Sequence, residues 1–510
     1  MAATEVRQAT AVATADDGPG TTTPLGRREV ALLVVLLLVG LAVRLPAIGE
    51  APLAFHPTRQ YRSALFARYL AAQVRPDASP VSAEVAEASQ SGTYEPPIME
   101  TIAAASFVAS GQEPLWVVRL VAAACWMGVA LITYLLARRL AGIAAAAVAA
   151  SVVVFLPFTV PASRSFQPEP LMVLAMMAAL LALIRHDEDP TRRRLLVAAG
   201  LAAAAVFVKP MCVFVLAAAF AAVTLRRVGW RRAVSADSAT YLAVMVAPGA
   251  VWVAWAMFGT GAIAHVPAES PSLALLTSGA YWSGWWHQLG KVVGLPVLAA
   301  AAVGLVVAPA RLRTLVLGAL AGYVAYGLYF AFQIHTHDYY SLLVVPLVAL
   351  AAGGFGGWAH ERARAVGLEL AVVGLAAVAL VAAVGLDLER AARIPDQRLI
   401  TQAVEIGEAT DHTTHALILA PAYGQHLRYH GGFSAEPWPY PYDDRRDVLQ
   451  GEQPRSGGEH LDEVAAEEGA ELFIVADLDE LAANDSLRRV LEAEHPVLAR
   501  GQDWIVYDLR

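Results

Sequence analysis

Apolar residues form blocks of roughly 16–24 residues between positions 28 and 387, and the blocks stop after that point. A helix that crosses a bilayer needs about 20 apolar residues. The pattern therefore predicts about eleven membrane spans, at 28–46, 115–138, 141–160, 168–185, 194–208, 210–225, 239–258, 292–309, 313–333, 340–358 and 367–386. The segment 97–110 is shorter and contains Glu100, so we interpret it as an interfacial or re-entrant helix.

The two ends of the chain have different patterns. Residues 1–27 lack an apolar face and predict a disordered cytoplasmic tail. Beyond 388, strand-like runs at 415–420, 471–476 and 503–508 alternate with helix-like stretches at about 459–468 and 479–494. This alternation predicts a small α/β domain over 388–510. We therefore expect a mainly α polytopic membrane protein, with its membrane domain over 28–387 and a small C-terminal α/β extracytoplasmic domain.

Arginine placement orients the spans. With the N-terminus in the cytoplasm, the cytoplasmic joints hold six arginine clusters, whereas the short outer joints hold only Arg164, Lys209 and Lys291. Positively charged loops stay in the cytoplasm, so this orientation is strongly favoured. An odd number of spans then places the C-terminal domain outside a plasma membrane that the chain crosses many times. The long first outer loop, 47–114, is of a length that usually has a function.

Composition narrows the choice further. The chain has 510 residues, of which 57% are hydrophobic and 16% are charged, and its mean hydropathy is +0.50. The C-terminal domain has 24 acidic and 11 basic residues. No cytoplasmic loop has the glycine pattern that cradles phosphates, so we expect neither a nucleotide cofactor nor nucleic acid as a partner. Cys125 and Cys212 lie inside apolar blocks, which excludes a disulfide framework and a cysteine zinc site.

Five polar motifs fall on the predicted outer face, where a cluster of polar residues indicates a site. They are FHPTRQY at 55–61, YEPPIME at 94–100, SRSFQPEP at 163–170, VKP at 208–210 and HTHDYYSLLVVP at 335–346. Each motif alone is compatible with capping, snorkelling or a solvated loop. Together they place cations, carboxylates and imidazoles at one mouth of a helical bundle. That combination suits an anionic lipid headgroup.

Single residues in these motifs have chemistry that fits such a site. A helix that begins at Pro57 and is followed by Arg59 is a good anion site. Glu95 precedes two prolines, and its carboxylate could act as a general base or a metal ligand. Lys209 is one of only two lysines in a chain that otherwise uses arginine. His337 and Asp338 are harder to explain as residues of the membrane interface.

The order of these motifs resembles the GT-C superfamily of polyprenyl-phosphate-sugar-dependent glycosyltransferases, and in particular the family-39-like enzymes. That family includes protein mannosyltransferases and the lipid A aminoarabinose transferase. The resemblance covers most of 28–387. It implies a GT-C-like fold and an inverting transfer of a hexosyl or pentosyl unit from a polyprenyl-phosphate donor. The acceptor would be a glycolipid, a wall polymer or a protein on the outer face.

The resemblance also assigns roles to residues. The family has a catalytic acid soon after the first helix, but here His56 and Pro57 stand at that place. Glu95 is therefore our first candidate for the base and His56 the second. The predicted ligands of the donor phosphate are Arg59, Gln60, Arg164, Lys209, His337, Tyr339 and Tyr340. A divalent metal, Mg or Mn, is an option, with His56, Glu95 and Asp338 as its ligands.

Two other functions fit part of the pattern. A transporter or flippase of lipid-linked sugars would have internal repeats and polar residues at the bilayer midplane, and the sequence has neither. A non-catalytic relative would explain the missing acid after the first span.

Overall fold

The computed structural model describes residues 24–90, 94–260, 272–369, 379, 382–386, 397–444 and 453–510. Its larger part is helical. The helices are α1 Arg27–Arg44, α2 Pro57–Val74, α3 Ala83–Ala88, α4 Ile98–Ser110, α5 Leu115–Phe155, α6 Thr159–Ser163, α7 Glu169–Glu188, α8 Arg192–Val208, α9 Cys212–Val228, α10 Trp230–Ala233, α11 Ala236–Phe258, α12 Leu273–Leu276, α13 Gly279–Val293, α14 Leu295–Val307, α15 Ala310–Tyr329, α16 Ala331–Thr336 and α17 Val345–Ala365. A 3₁₀ helix, Asp338–Val344, leads directly into α17.

The structure does not confirm the predicted number of spans. Among the described residues, five helical segments are long and apolar enough to cross a membrane, and the pair α13 and α14, bent by 92°, makes a sixth if counted as one span. Helices α8 and α9 have 17 residues each, and α5 joins two predicted spans across a break at Gly142. The predicted span 367–386 lies mostly outside the described residues. A multi-pass helical membrane protein is confirmed, but a count of eleven is not.

Close helix contacts depend on small residues. A Cβ at Gly322 of α15 would lie 2.3 Å from the carbonyl oxygen of Phe214 on α9. A Cβ at Gly353 of α17 would lie 2.5 Å from the carbonyl oxygen of Ala145 on α5. Such small residues let helix backbones approach in a membrane, where dispersion replaces the hydrophobic effect as the main attraction between helices. Helix α9, which borders the site described below, is fixed in this way.

One end of the bundle holds the arginines that the sequence places in the cytoplasm. Asp187 at the end of α7 accepts hydrogen bonds from Arg226 at 3.0 Å and from Arg311 at 2.9 Å. Glu188 accepts from Arg139, and its nearest contact with Arg311 is 3.7 Å. Four predicted cytoplasmic joints therefore meet at the same end of the bundle, as the arginine pattern requires.

The C-terminal part contains a five-stranded sheet, which confirms the predicted α/β character. The remaining helices are α18 Arg398–Ala409, α19 Gln425–Gly431, α20 Leu461–Glu468, α21 Leu478–Ala483 and α22 Asp485–Glu494, with 3₁₀ turns at Pro421–Gly424 and Gly458–His460. The strands are β1 Ala416–Leu419, β2 Glu436–Pro437, β3 Leu472–Val475, β4 Val497–Arg500 and β5 Ile505–Asp508. Their order is β2-β1-β3-β5-β4, with β1 parallel to β2 and β3, and β5 antiparallel to β3 and β4.

The central strands β1, β3 and β5 are buried on both faces of the sheet. Ile418 and Ile474 lie in one apolar cluster with α18 and α19, whereas Leu417 and Phe473 lie in the other with α20 to α22. Alternate residues of a strand point to opposite faces, so these continuous apolar runs are what a doubly covered sheet requires. Helix α19 also packs against α2, and this contact joins the sheet to the first loop.

Candidate active site

The N-terminus of α2 carries three of the predicted site residues. His56 is the N-cap and has a left-handed backbone, with φ 44° and ψ 61°, and Pro57 begins the helix. Gln60 is buried, and its amide group donates to the carbonyl oxygens of Pro52 and Phe55 at 3.3 and 2.5 Å. Its side-chain oxygen accepts from the backbone N–H of Phe166 at 2.8 Å. Gln60 therefore fastens the helix start to the 163–170 motif.

A buried ion cluster connects four of the motifs. The ammonium group of Lys209 lies 2.5 Å from Glu169 Oε1 and 3.0 Å from Glu95 Oε1. Arg59 donates from Nη2 to the same Glu95 oxygen at 3.2 Å and lies 3.9 Å from Glu169. We call these four residues the Lys209 cluster. The side chains of Lys209 and Glu169 are 1% and 2% exposed, so their charges are held almost without water.

The charges in this cluster decide the state of Glu95. Burial by itself would raise the pKa of Glu95, but the neighbouring Arg59 and Lys209 hold it well below its usual range. The carboxylate is therefore ionised and paired at any pH at which the protein would operate. It is well suited to hold two cations in place and poorly suited to accept a proton.

Two tyrosines separate the cations from a second cluster. The Arg59 guanidinium lies 5.5 Å from the ring centroid of Tyr339, and the Lys209 ammonium lies 4.9 Å from that of Tyr340. His337 packs against both rings, at 5.5 and 6.0 Å between centroids. Burial, with the nearby charges of His56 and Arg59, lowers the pKa of His337 to about 4. Near neutral pH His337 is therefore an uncharged hydrogen-bonding group.

The second cluster joins three distant segments. Asp338 Oδ1 lies 2.6 Å from His56 Nε2, and Asp338 Oδ2 lies 2.5 Å from the ammonium of Lys291 on α13. The Asp338 side chain is 3% exposed, whereas those of His56 and Lys291 are 27% and 55% exposed. We call these three residues the Lys291 cluster.

The other residues predicted to bind phosphate lie elsewhere. Arg164 donates to the carbonyl oxygens of Pro46 and Arg44, the latter at 3.4 Å. Together with Gln60 and Arg119 it lines a separate cavity of about 360 Å³, which does not include Lys209. The structure thus brings together Arg59, Lys209, His337, Tyr339 and Tyr340, but places Gln60 and Arg164 on the far side of the 163–170 turn.

An apolar groove of about 1110 Å³ opens from the Lys209 cluster. Its walls come from α9, α11 and α15, and its polar end is formed by Glu95, Lys209 and Tyr340. The apolar wall residues are Pro210, Met211, Val213, Phe214, Val253, Met257, Tyr329 and Phe330. The groove can take a long apolar chain whose anionic end stops at the lysine.

A smaller polar pocket of about 360 Å³ lies on the other side of Glu95. Glu100 lines it, and the hydroxyl of Ser63 donates to Glu100 Oε1 at 2.7 Å. Burial raises the pKa of Glu100 to about 7, so that the carboxyl group is partly protonated near neutral pH. Arg62, whose guanidinium lies 3.9 Å from the Tyr94 ring centroid, forms another wall.

The predicted metal ligands do not fit a metal ion. Glu95 Oε1 already accepts from two cations, and both oxygens of Asp338 are engaged by His56 and Lys291. In the part of the chain that the structure describes, no three His, Cys, Asp or Glu side chains are grouped to hold a metal. Positive charge at this site comes from the protein's own side chains.

The C-terminal part contacts the helix that carries the site. The Tyr61 hydroxyl lies 2.8 Å from His430 Nε2 on α19, and Arg68 donates to the carbonyl oxygen of Tyr429 at 2.8 Å. Arg68 also donates from Nε to Glu113 at 2.6 Å, and its side chain is 2% exposed. Helix α2 is thereby held on the face opposite to the ion clusters.

Sequence reasoning did not assign three of the groups found here. In the sequence, Glu169 is only one residue of the 163–170 motif, Lys291 is only a cation of an outer joint, and Glu100 only weighs against a span at 97–110. The rarity of lysine in the chain could have marked Lys291 as a site residue. The chain has only two lysines, and both lie in these clusters.

Comparisons with known proteins agree with this architecture. The family model described as dolichyl-phosphate-mannose-protein mannosyltransferase matches residues 94–257. ArnT from Cupriavidus metallidurans, solved bound to undecaprenyl phosphate, has a TM-score of 0.54 and 16% identity, over 94% of this chain and 96% of that chain. The archaeal oligosaccharyltransferase AglB from Archaeoglobus fulgidus was solved with an inhibitory peptide and a dolichol-phosphate. It has a TM-score of 0.55 and 11% identity, over 91% of this chain and 71% of that chain.

These matches confirm the resemblance to GT-C glycosyltransferases that the sequence indicates. At such identities the structural likeness establishes the fold. No curated protein sequence matches the chain significantly.

Proposed function

We propose that the protein is a membrane glycosyltransferase, which moves a hexosyl or pentosyl unit from a polyprenyl-phosphate-linked donor to an acceptor on the outer face of the membrane. The observation that carries the proposal is the apolar groove that ends at Lys209. A polyprenyl chain is apolar and its phosphate is anionic. The groove and the cation at its end match these two properties in the order in which the lipid presents them.

The reaction that fits this site is an inverting displacement. An acceptor hydroxyl or amine loses its proton to a base and attacks the anomeric carbon, while the bond between that carbon and the phosphate oxygen breaks. The lipid phosphate leaves with an additional negative charge. Lys209 and Arg59 are preorganised cations, and a charge that develops beside them in a site of low dielectric is strongly stabilised.

The polar pocket beside Glu95 is our candidate for the acceptor side. Glu95 lines both the groove and this pocket, so the pocket is one route by which an acceptor can reach the polar end of the groove. A glycolipid, a wall polymer and a protein all carry hydroxyl or amine groups of the required kind. The two relatives named above were solved with undecaprenyl phosphate and with dolichol-phosphate, which supports a polyprenyl phosphate as the lipid part of the donor.

Binding of undecaprenyl phosphate to the purified protein in nanodiscs tests the lipid part of the proposal. A Val213→Trp substitution would fill the groove and is expected to weaken binding at least ~10-fold. The matched control is Val306→Trp, at an exposed position on α14. Equal affinity in the wild type and in Val213→Trp would contradict the proposed lipid site.

Transfer itself is tested by adding undecaprenyl-phosphate-linked sugars to envelope extracts from a deletion strain, with and without the protein. We expect labelled sugar to appear on an acceptor and undecaprenyl phosphate to be released. Movement of intact donor across a liposome bilayer without release would instead indicate the transporter. Binding with neither result would indicate a non-catalytic relative.

A further inference from the structure

The pair formed by His56 and Asp338 has the geometry of a carboxylate that orients an imidazole. The distance of 2.6 Å is short, and hydrogen bonds to an ionised carboxylate are shorter than those between neutral groups. Asp338 is buried, and its other oxygen is held by Lys291, so the carboxylate has a fixed position. The hydrogen bond with Asp338 uses Nε2 of His56, and Nδ1 forms no hydrogen bond with a described residue.

The engaged nitrogen determines the tautomer. Because Nε2 faces a carboxylate, it carries the proton, and Nδ1 then has the free lone pair of the neutral ring. No described residue forms a hydrogen bond with Nδ1, and the side chain remains 27% exposed. The ring is held edge-on between Phe55 and Tyr339, at 4.5 and 4.8 Å between centroids. An accepting nitrogen is therefore presented in a defined direction.

The backbone at His56 supports a functional reason for this placement. A non-glycine residue in the left-handed region costs on the order of 1–3 kcal/mol, and residues before proline are restricted further. His56 has a φ of 44° and is followed by Pro57. Contacts around Gln60 and Asp338 hold this conformation, and its result is that the imidazole reaches Asp338.

The charges around the ring also suit a group that gains a proton. Asp338 lies against it, Lys291 lies behind Asp338, and Arg59, His337 and Tyr339 complete its titratable neighbours. Asp338 is the ion partner beside the ring when the ring holds a proton, and Lys291 holds Asp338 in that place.

The geometry points to His56 as the general base of the transfer, with Asp338 and Lys291 as positioning residues that fix its tautomer and direction. This inference rests on the proposed function. His56 Nδ1 takes the proton of the acceptor hydroxyl or amine as the acceptor atom bonds to the anomeric carbon. The bond from that carbon to the phosphate oxygen breaks, and its electron pair leaves with the lipid phosphate. The proton on His56 then passes to water.

Glu95 is the competing base, and its contacts oppose that role. Its Oε1 accepts from both Arg59 and Lys209, and the same charges depress its pKa. A proton on Glu95 would break the ion cluster that holds the cations for the phosphate. The two tasks are thus divided between two carboxylate-containing clusters.

The test compares pH–rate profiles of variants under saturating donor. His56→Gln is expected to lower kcat at least ~100-fold and to abolish the acidic limb of the profile, since general bases contribute about 10²–10⁴-fold. Asp338→Asn is expected to lower kcat ~100-fold and to move the acidic limb to lower pH, because the imidazolium loses its carboxylate. Asp338→Glu should recover part of the rate. The KM for the donor should change less than ~2-fold in each. His287→Gln, at an exposed position one turn before Lys291, is the control for loss of a histidine.

A spectroscopic measurement does not depend on turnover. Nitrogen-15 NMR of labelled histidine, with the His56 signal assigned by its loss in His56→Gln, should show the Nε2-protonated tautomer in the wild type and a mixture in Asp338→Asn. If His56→Gln turns over as fast as the wild type, His56 is not the base, and the proposed function is unaffected. A wild type that binds donor but transfers no sugar would overturn both. An Nδ1-protonated His56 in the wild type would overturn the positioning role of Asp338.

Discussion

The chain has two lysines, and each is the centre of an ion cluster on one side of Tyr339, yet the two clusters differ in burial and stoichiometry. Around Lys209, two carboxylates and an arginine form ion pairs in which no side chain is more than 17% exposed. Around Lys291, a single buried carboxylate lies between an exposed ammonium and a partly exposed imidazole. In the first arrangement burial alone would favour the neutral forms, but the opposite charges lower the pKa of Glu95 and raise the pKa values of Lys209 and Arg59. The second contains an imidazole, the side chain whose charge ordinarily changes near neutral pH.

The difference shows how burial separates two tasks. Ions taken out of water are costly unless each is paired, and a complete set of pairs makes their charges rigid. Rigid cations suit the stabilisation of a leaving phosphate, because no reorganisation is needed when the charge develops. A group that exchanges a proton must instead contact the acceptor and water. The Lys209 cluster fits the first task and the Lys291 cluster fits the second.

Removing the buried lysine should have the largest effect. Lys209→Met leaves two buried carboxylates with only Arg59 as a partner, and breaking a buried pair costs about 3–5 kcal/mol. We expect a large loss of stability, measured by thermal unfolding in detergent, and loss of turnover to background. Lys209→Met combined with Glu169→Gln should regain stability but not turnover. Equal stability of the single and double variants would contradict the assigned pairing.

The next prediction separates the clusters through Glu95. Glu95→Gln removes one partner of Arg59 and Lys209 but leaves Glu169 to pair with both. We expect turnover to fall on the order of 10-fold, with the acidic limb of the pH–rate profile at the same pH as in the wild type, as one weakened electrostatic contact would give. Complete loss of turnover at every pH would identify Glu95 as the base. It would contradict the proposal that the Lys209 cluster only stabilises the leaving phosphate.

The sequence predicted the Lys209 cluster better than the Lys291 cluster, for a physical reason. Glu95, Arg59 and Lys209 each lie beside a span end or a proline turn, where side chains are expected at the mouth of the bundle. Lys291 lies at the end of a helix that bends by 92° into the next, and no local pattern predicts the direction of such a bend.

The positions of Gln60 and Arg164 could not be predicted for a related reason. Both belong to motifs that do contribute to the site, but a turn has two sides, and the sequence does not determine which side each residue faces. The fold class was readable from hydropathy. The number of spans was not, because short helices and the break at Gly142 make length a poor guide.

A smaller effect concerns Glu100, which lines the same pocket as Glu95 and accepts a hydrogen bond from the Ser63 hydroxyl. Its pKa of about 7 is above the ordinary value, so the folded protein binds a proton that the unfolded chain releases between about pH 4.5 and 7. Stability should therefore fall as pH rises through this window, by on the order of 3 kcal/mol. Glu100→Gln should remove this dependence, as followed by thermal unfolding from pH 4 to 8.

The control for Glu100 is Glu87→Gln, an exposed carboxyl group in the same loop. It should keep the wild-type pH dependence. If Glu100→Gln and the wild type lose stability in parallel as pH rises, Glu100 is ionised in the folded protein and the polar pocket is more hydrated than its burial indicates.

The smallest effect is expected from chelation, and it tests both clusters at once. Both candidate metal-binding carboxylates, Glu95 and Asp338, already contact cationic or imidazole side chains. The positive charge that a metal would supply is therefore provided by Lys209, Arg59 and Lys291. We expect turnover in EDTA to remain within ~2-fold of the untreated enzyme, since lysine and arginine clamps can stabilise the same developing charge. Added Mg or Mn should not increase it. Loss of activity in EDTA that Mn restores would mean that a metal displaces these pairs during turnover. The two lysines would then pair with the carboxylates only until the metal ion binds, and the metal would supply the positive charge during transfer.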